Sequence, residues 1–167
     1  MKKFICFLFA LSILVSFASE NLVPAALSGF EDASQLNKVI YWYGSREIKL
    51  TDLESYTNRS SMAVWVNSPK KVGVYIPILK NVKANDVYTA SAYVKGATKG
   101  GVSMYIYTTR NKKRVEAFFA PRRVDNVWQQ IKLTGKLTKD ADELGIILRS
   151  ADKDFTFYVD NPQYFMP

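Results

Sequence analysis

The 167-residue chain contains no histidine and a single cysteine, Cys6. Without histidine, neither a Ser-His-Asp nor a Cys-His nucleophile system can be built, and imidazole-ligated metals are excluded. Cys6 sits in a segment with the marks of an export signal. Lys2 and Lys3 form a positive start, residues 4–17 are almost unbroken apolar, and Ser16-Phe17-Ala18 fits a small-x-small cleavage site. Residues 1–19 are therefore expected to be removed. The apolar run is shorter than the roughly 20 residues a membrane-spanning helix needs, and no second hydrophobic segment follows it. No integral membrane anchor is expected after cleavage. Lys3-Phe-Ile-Cys6 is also the wrong context for lipid attachment. Residues 20–167 would then carry no thiol, so disulfides are excluded even at an oxidising destination, and stability must come from a core or a metal.

Also missing is any 3.6-residue apolar period long enough for a core helix. What is present instead is a succession of short runs rich in Val, Ile, Tyr, Phe or Trp. They cover residues 38–43, 47–50, 61–67, 72–79, 86–95, 102–109, 114–119, 127–134, 143–149 and 155–160. Turn signals such as Ala84-Asn-Asp86, Lys99-Gly-Gly101, Asp125-Asn126 and Ser150-Ala-Asp152 separate them. The chain reads as all-β, and strand number and spacing predict a two-sheet jelly-roll sandwich in one domain, residues 20–167. A domain of that size buries about two thirds of its unfolded surface.

Removing Lys2 and Lys3 leaves 21 basic against 15 acidic residues, a net charge of +6. Export disfavours nucleic acid as a partner, whereas an acidic glycan, a wall polymer or an anionic membrane suits the charge. The basic residues concentrate in Arg110-Asn-Lys-Lys-Arg114 and Arg122-Arg123, which read as solvated loops flanking a strand.

Successive strand residues face opposite sides of a sheet. In 102–107, Val102, Met104 and Ile106 should fill the core, leaving Ser103, Tyr105, Tyr107 and Thr109 outward. In 143–149, Leu144, Ile146 and Leu148 should be inward, with Glu143, Gly145, Ile147 and Arg149 outward. Tyr75 is outward between Val74 and Ile76. Phe155, Phe157 and Val159 read as core, as do Val72, Val74, Ile76 and Ile78 and the set Tyr88, Ala90, Ala92 and Val94. Trp128 reads as a packing anchor opening a strand. Glu31, in Gly29-Phe30-Glu31-Asp32, and Asp160, in Phe157-Tyr-Val-Asp160, stand near opposite ends of the mature chain. They can meet only if the first and last strands are neighbours, and a calcium ion would reconcile them.

The order of Asn21-Leu22, Gly29-Phe30-Glu31-Asp32, Trp42-Tyr43, Ser60-Ser61-Met-Ala-Val64, Asn85-Asp-Val-Tyr88, Val127-Trp128-Gln129 and Phe157-Tyr-Val-Asp160 resembles carbohydrate-binding modules. The likeness is to families four, nine and twenty-two, which belong to the galactose-binding-like jelly rolls, and it spans essentially the whole mature chain. It implies a non-catalytic domain holding a poly- or oligosaccharide on a sheet face, with one structural calcium tying its termini. By position, the implied calcium ligands are Glu31 and Asp160, with main-chain oxygens near Gly29 and at residues 58–61. Ser60-Ser61 stands where the family has Ser-Gly.

Sugar recognition needs flat apolar surfaces for the ring faces and polar groups for the hydroxyls. Tyr43 matches a position that stacks on sugar in some of these modules. Tyr105, Tyr107, Glu143 and Arg149 share the outward face, with Tyr75 a further candidate. A secreted, periplasmic or cell-surface monomer is expected. Two other readings stay open: a surface protein using the basic segments 110–114 and 122–123 on an acidic wall polymer or protein, and a two-carboxylate glycoside hydrolase pairing Glu143 with Glu116 or Glu47.

Overall fold

The computed structural model describes residues 21–23, 29–31, 39–42, 47–57, 59–66 and 72–166. The expected export signal, with Cys6, lies outside them. Ten strands are assigned, one for each apolar run: β1 (Ile40–Trp42), β2 (Glu47–Thr51), β3 (Ser61–Val66), β4 (Val72–Val82), β5 (Val87–Gly96), β6 (Gly100–Arg110), β7 (Lys113–Val124), β8 (Gln129–Lys136), β9 (Ala141–Ser150) and β10 (Phe155–Phe165). They form two five-stranded sheets, in the orders β1-β4-β9-β6-β7 and β2-β3-β10-β5-β8. All pairings are antiparallel.

The core is the meeting of the two inward faces. From the first sheet come Val72, Val74, Ile76, Val102, Met104, Ile106, Leu144, Ile146 and Leu148. Met62, Val64, Tyr88, Ala90, Ala92, Val94, Phe155, Phe157 and Val159 answer from the second. Alternation thus assigns the inward residues of β5, β6 and β10 as expected. Ile78 is only half-buried, because the register between β4 and β9 shifts between Pro77 and Leu79. Pro77 lies beyond Gly73–Tyr75, the part of β4 that pairs with the described β1. Ile147, expected outward, does face outward but is buried at 2% exposure. Its strand neighbours on either side are Tyr75 and Tyr105.

Two expectations are corrected. Arg122 and Arg123 lie within β7, not in a loop, and the basic segment 110–114 reduces to a two-residue turn at Asn111-Lys112 between β6 and β7. Both turn residues have positive φ, 50° and 61°, the left-handed conformation of a tight hairpin. Trp128 precedes β8 and packs outside the core. Its ring lies 6.1 Å from that of Tyr56, which in turn stacks on Tyr93 at 3.6 Å.

The start of the described chain runs beside the last strand. Leu22 donates its amide to the Tyr164 carbonyl at 2.7 Å, and Asn21 Oδ1 accepts the Tyr164 amide at 2.9 Å. The first assigned strand, β1, belongs to the opposite sheet.

Gly145 shows how closely the outer face of the first sheet is packed. A Cβ there would lie 2.4 Å from the Tyr75 ring and 2.4 Å from the Ile76 carbonyl oxygen. Gly145→Ala should therefore lower stability by about 1–3 kcal/mol, the usual cost of overpacking. Urea unfolding checks this, and an unchanged midpoint would contradict the close approach.

Candidate functional site

The four longer strands of the first sheet run in register, so that residues of equal facing form rows across it. One outward row is Tyr75, Ile147, Tyr105 and Phe119. A second is Gly73, Arg149, Ser103 and Pro121, and a third is Pro77, Gly145, Tyr107 and Ala117. Five of the six sugar-contact candidates are thereby brought to one face, on three adjacent strands. The sixth, Tyr43, lies outside the described residues.

The five fall into two groups. Arg149 and Tyr105 form the first: the guanidinium sits 4.2 Å from the centroid of the Tyr105 ring, and Arg149 Nη2 donates to the Tyr105 hydroxyl. Phe119 stacks on the same tyrosine, with centroids 5.7 Å apart and planes 24° apart. The residue is 61% exposed and offers a flat apolar surface on this face. Beside it lies a hollow of about 420 Å³, lined by Ser103, Tyr105, Pro121, Arg123, Arg149 and Asp152 among others. That volume falls within the roughly 300–1,000 Å³ of small-ligand sites.

Tyr75, Tyr107 and Glu143 make the second group. Tyr75 donates its hydroxyl to Glu143 Oε1 at 3.0 Å, and its ring meets Tyr107 edge-on at 6.3 Å. Burial, reinforced by the Glu143 charge, pushes the Tyr75 phenol well above its ordinary range. At 6% exposure Tyr75 presents almost no ring surface; it braces Glu143 and Tyr107 from below. Glu143 and Arg149 are six residues apart on β9, so the polar ends of the two groups stand about 20 Å apart along the outward face.

The carboxylates considered as partners of Glu143 lie elsewhere. Glu116 pairs with the buried Thr108 on the inward side of β7. There it accepts the Thr138 amide at 3.0 Å and the Thr138 hydroxyl at 2.6 Å. Glu47 is on β2, in the other sheet. Neither residue therefore belongs to the outward face of the first sheet that carries Glu143.

Glu31 and Asp160 converge on the segment between β2 and β3. Asp160 occupies an outward position on β10 yet is fully buried, since residues 56–57 cover it. Its Oδ2 accepts the amides of Tyr56 at 2.8 Å and Thr57 at 2.7 Å, and its Oδ1 that of Asn161 at 2.6 Å. Glu31 Oε1 accepts the amides of Arg59 and Ser60, both at 3.0 Å. Lys95 pairs with Glu54 in the same segment, and Tyr56 stacks on Tyr93 beneath it. Burial raises the Asp160 carboxyl above the usual carboxylate range, and the amide bonds offset part of that rise. No Lys or Arg among the described residues pairs with Asp160.

Hard oxygen donors and a buried, uncompensated carboxylate fit what a calcium ion binds. Among the described residues no three Asp, Glu, His or Cys side chains are grouped so that they alone could hold a metal ion. The other calcium ligands would therefore have to be main-chain carbonyls and water. Asn58, one of the implied main-chain donors, lies outside the described residues.

With this geometry in hand, likeness to solved structures decides the architecture. The chain superposes on the CBM22-1 xylan-binding domain of Paenibacillus barcinonensis Xyn10C with a TM-score of 0.63 at 16% identity, covering 89% of this chain and 92% of that one. This chain has the fold of the carbohydrate-binding modules. TmCBM61, solved in complex with β-1,4-galactotriose, gives a TM-score of 0.65 at 10% identity over 89% of this chain and all of that one. A family 16 carbohydrate-binding module gives 0.61 at 14% identity over 86% and 99%. No protein-family model and no curated protein matches the sequence.

Sequence reasoning missed Phe119 and Asp152, and named Arg123 only in the alternative reading of an acidic-polymer binder. Phe119 belongs to a run already recognised as a strand. What identifies it as part of the site is its pairing with Tyr105, a relation between residues distant in sequence.

The Asp160 carboxyl also sets a pH dependence. A carboxyl whose folded-state pKa lies above its unfolded value, near 3.8, contributes stability that is fully present below that value and lost as pH rises through the folded one. Relative to Asp160→Asn, the wild type should gain stability as pH falls from about 7 to about 4. Urea midpoints for both proteins across that range, measured in EGTA so that no cation sits on the carboxylate, provide the check, and a pH-independent difference would refute the raised value.

Proposed function

We propose that this protein is an exported, monomeric, non-catalytic binder of poly- or oligosaccharide, which lies along the outer face of the first sheet. The observation that carries the reading is the exposed Phe119 ring, stacked on Tyr105 beside a polar-rimmed hollow. Phe119 offers a flat surface to the C–H face of a sugar ring. Arg149, Ser103 and Glu143 supply hydrogen-bonding groups on the same face. The neighbours named above as xylan-binding, or solved with galactotriose, support glycan as the ligand class. An open face with a few stacking contacts implies micromolar to millimolar affinity, about −8 to −4 kcal/mol.

A glycan panel tested by affinity electrophoresis and calorimetry should find such a ligand. Phe119→Ala and Tyr105→Ala should each weaken binding by about 2- to 10-fold, the worth of one aromatic contact beyond its burial. Failure of both variants to alter affinity would move the site off this face, and release of new reducing ends would make the protein an enzyme.

The same proposal includes a structural calcium held by Glu31 and Asp160. What supports it is the convergence of both carboxylates on residues 56–60 and the burial of Asp160 without a basic partner. An ion there would neutralise the buried charge and stabilise the native state by mass action. EGTA should lower the melting temperature before it affects glycan affinity. An unchanged melting curve, with no metal in the purified protein, would reject the ion and leave the amide bonds as the whole of the tie.

A further inference from the structure

Resting on the glycan-binding reading, we infer that the hollow beside Phe119 takes a sugar bearing a carboxylate, a uronic acid residue, held by Arg149 and Arg123. Arg123 and Arg149 line this depression together with Arg122, whose own guanidinium turns away to the Gln130 carbonyl of β8, and Asp152 is the only acid among the lining residues. Arg123 and Arg149 reach it from different strands. The pairs Gly101–Arg123 and Ser103–Arg149 set both arginines outward, across β6 from one another.

The single acid does not neutralise them. Asp152 Oδ2 accepts the Gly101 amide at 2.6 Å, and no ion pair joins it to Arg123 or Arg149 among the described residues. Arg122 reaches only the Gln130 carbonyl, at 3.5 Å. The polar contact of Arg149 is to Tyr105, through one Nη2 hydrogen, which leaves the second Nη2 hydrogen, with Nε or Nη1, to form a two-pronged edge for a ligand. Arg123 is exposed and has no hydrogen-bond or ion-pair partner among the described residues.

Like charges gathered in one hollow repel, and an anion between them relieves that repulsion. The ligand must also be flat. The Tyr105 ring, with the Arg149 guanidinium 4.2 Å from its centroid, holds the fork in a fixed plane. A planar fork matches a carboxylate through two parallel N–H···O bonds, where a neutral hydroxymethyl group offers one oxygen. The apolar surfaces of Phe119 and Pro121 adjoin the same hollow and receive the ring that carries the carboxylate. A uronate satisfies both demands at once, whereas a neutral sugar would leave the guanidinium groups without a counter-charge.

Calorimetry at fixed ionic strength tests this with polygalacturonate, alginate and glucuronoxylan, each against its carboxyl-reduced, neutral counterpart. At least one acidic polymer should bind about tenfold or more tightly than its reduced form, the strength expected of a charge-assisted pair. Arg149→Gln and the exposed Arg123→Gln should each bring that ratio close to one. Three results would overturn the inference: equal affinity within every pair, polyglutamate binding as tightly as the uronates, or a sulfated glycan binding more tightly than any uronate. The first leaves glycan binding intact and removes only the acidic preference. If no glycan of either kind binds, the functional reading itself falls as well.

Discussion

Everything on the proposed binding face depends on the antiparallel register across β4, β9, β6 and β7. In that register Ile76, Ile146, Ile106 and Phe118 form one inward row, and Tyr75, Ile147, Tyr105 and Phe119 form the outward row beside it. A slip of one residue in any strand would exchange the two sets, driving tyrosine hydroxyls into the core and isoleucines into water. Burial of the inward aliphatics, each worth roughly 1.5–3 kcal/mol, therefore fixes the outer aromatics in place. The site needs no separate positioning device, because the core beneath it already selects one register.

The second sheet solves a different problem at its outer face. Asp160 is a charge buried without a cation, and its burial follows from the cover that residues 56–57 place over it. Left unpaired, such a group costs several kcal/mol. Three amide donors on its two oxygens reduce that cost, and Glu31 holds two further amides of the same segment, those of Arg59 and Ser60. One connecting segment is thus gripped by carboxylates that reach it from residue 31 and residue 160. Lys95 with Glu54, and Tyr56 on Tyr93, hold it against the sheet from the other side. The two sheets divide the labour: one presents the proposed binding face, while the other carries the tie between distant parts of the chain.

Strand content and the direction of most side chains were legible in the sequence because both follow from a period of two that each strand carries by itself. Val102, Met104 and Ile106 alternate with Ser103, Tyr105 and Tyr107 whatever the partner strand. Partner relations are another matter. That Tyr105 would lie beside Phe119, and Arg149 beside Ser103, depends on which strands pair and in what register. No local pattern encodes either. The basic pair Arg122-Arg123 looked like a loop because charge and adjacent Pro121 suppress a strand reading. Among the described residues β7 is an edge strand, where proline and charge are tolerated. Glu31 and Asp160 were identifiable as a pair, but the amides that join them belong to a connecting segment with no distinctive composition.

The edge position of β7 explains why basic residues and an exposed aromatic occur on the same strand. An edge presents unpaired backbone groups to any passing chain, and Lys113, Arg114, Pro121, Arg122 and Arg123 all discourage a further strand from adding there. Phe119 has no such protective role. A residue 61% exposed gains little from the fold and keeps most of its apolar surface in water, so it contributes energy only when something covers it. The arginines that guard the edge are also the groups that line the adjoining hollow. A flexible polymer that stacks on Phe119 and carries negative charge meets both features at once without adding a strand. A neutral, extended peptide would meet the same arginines and the proline as obstacles. The chemistry that keeps β7 from pairing with other β-edges thereby favours a polysaccharide over a protein on this face.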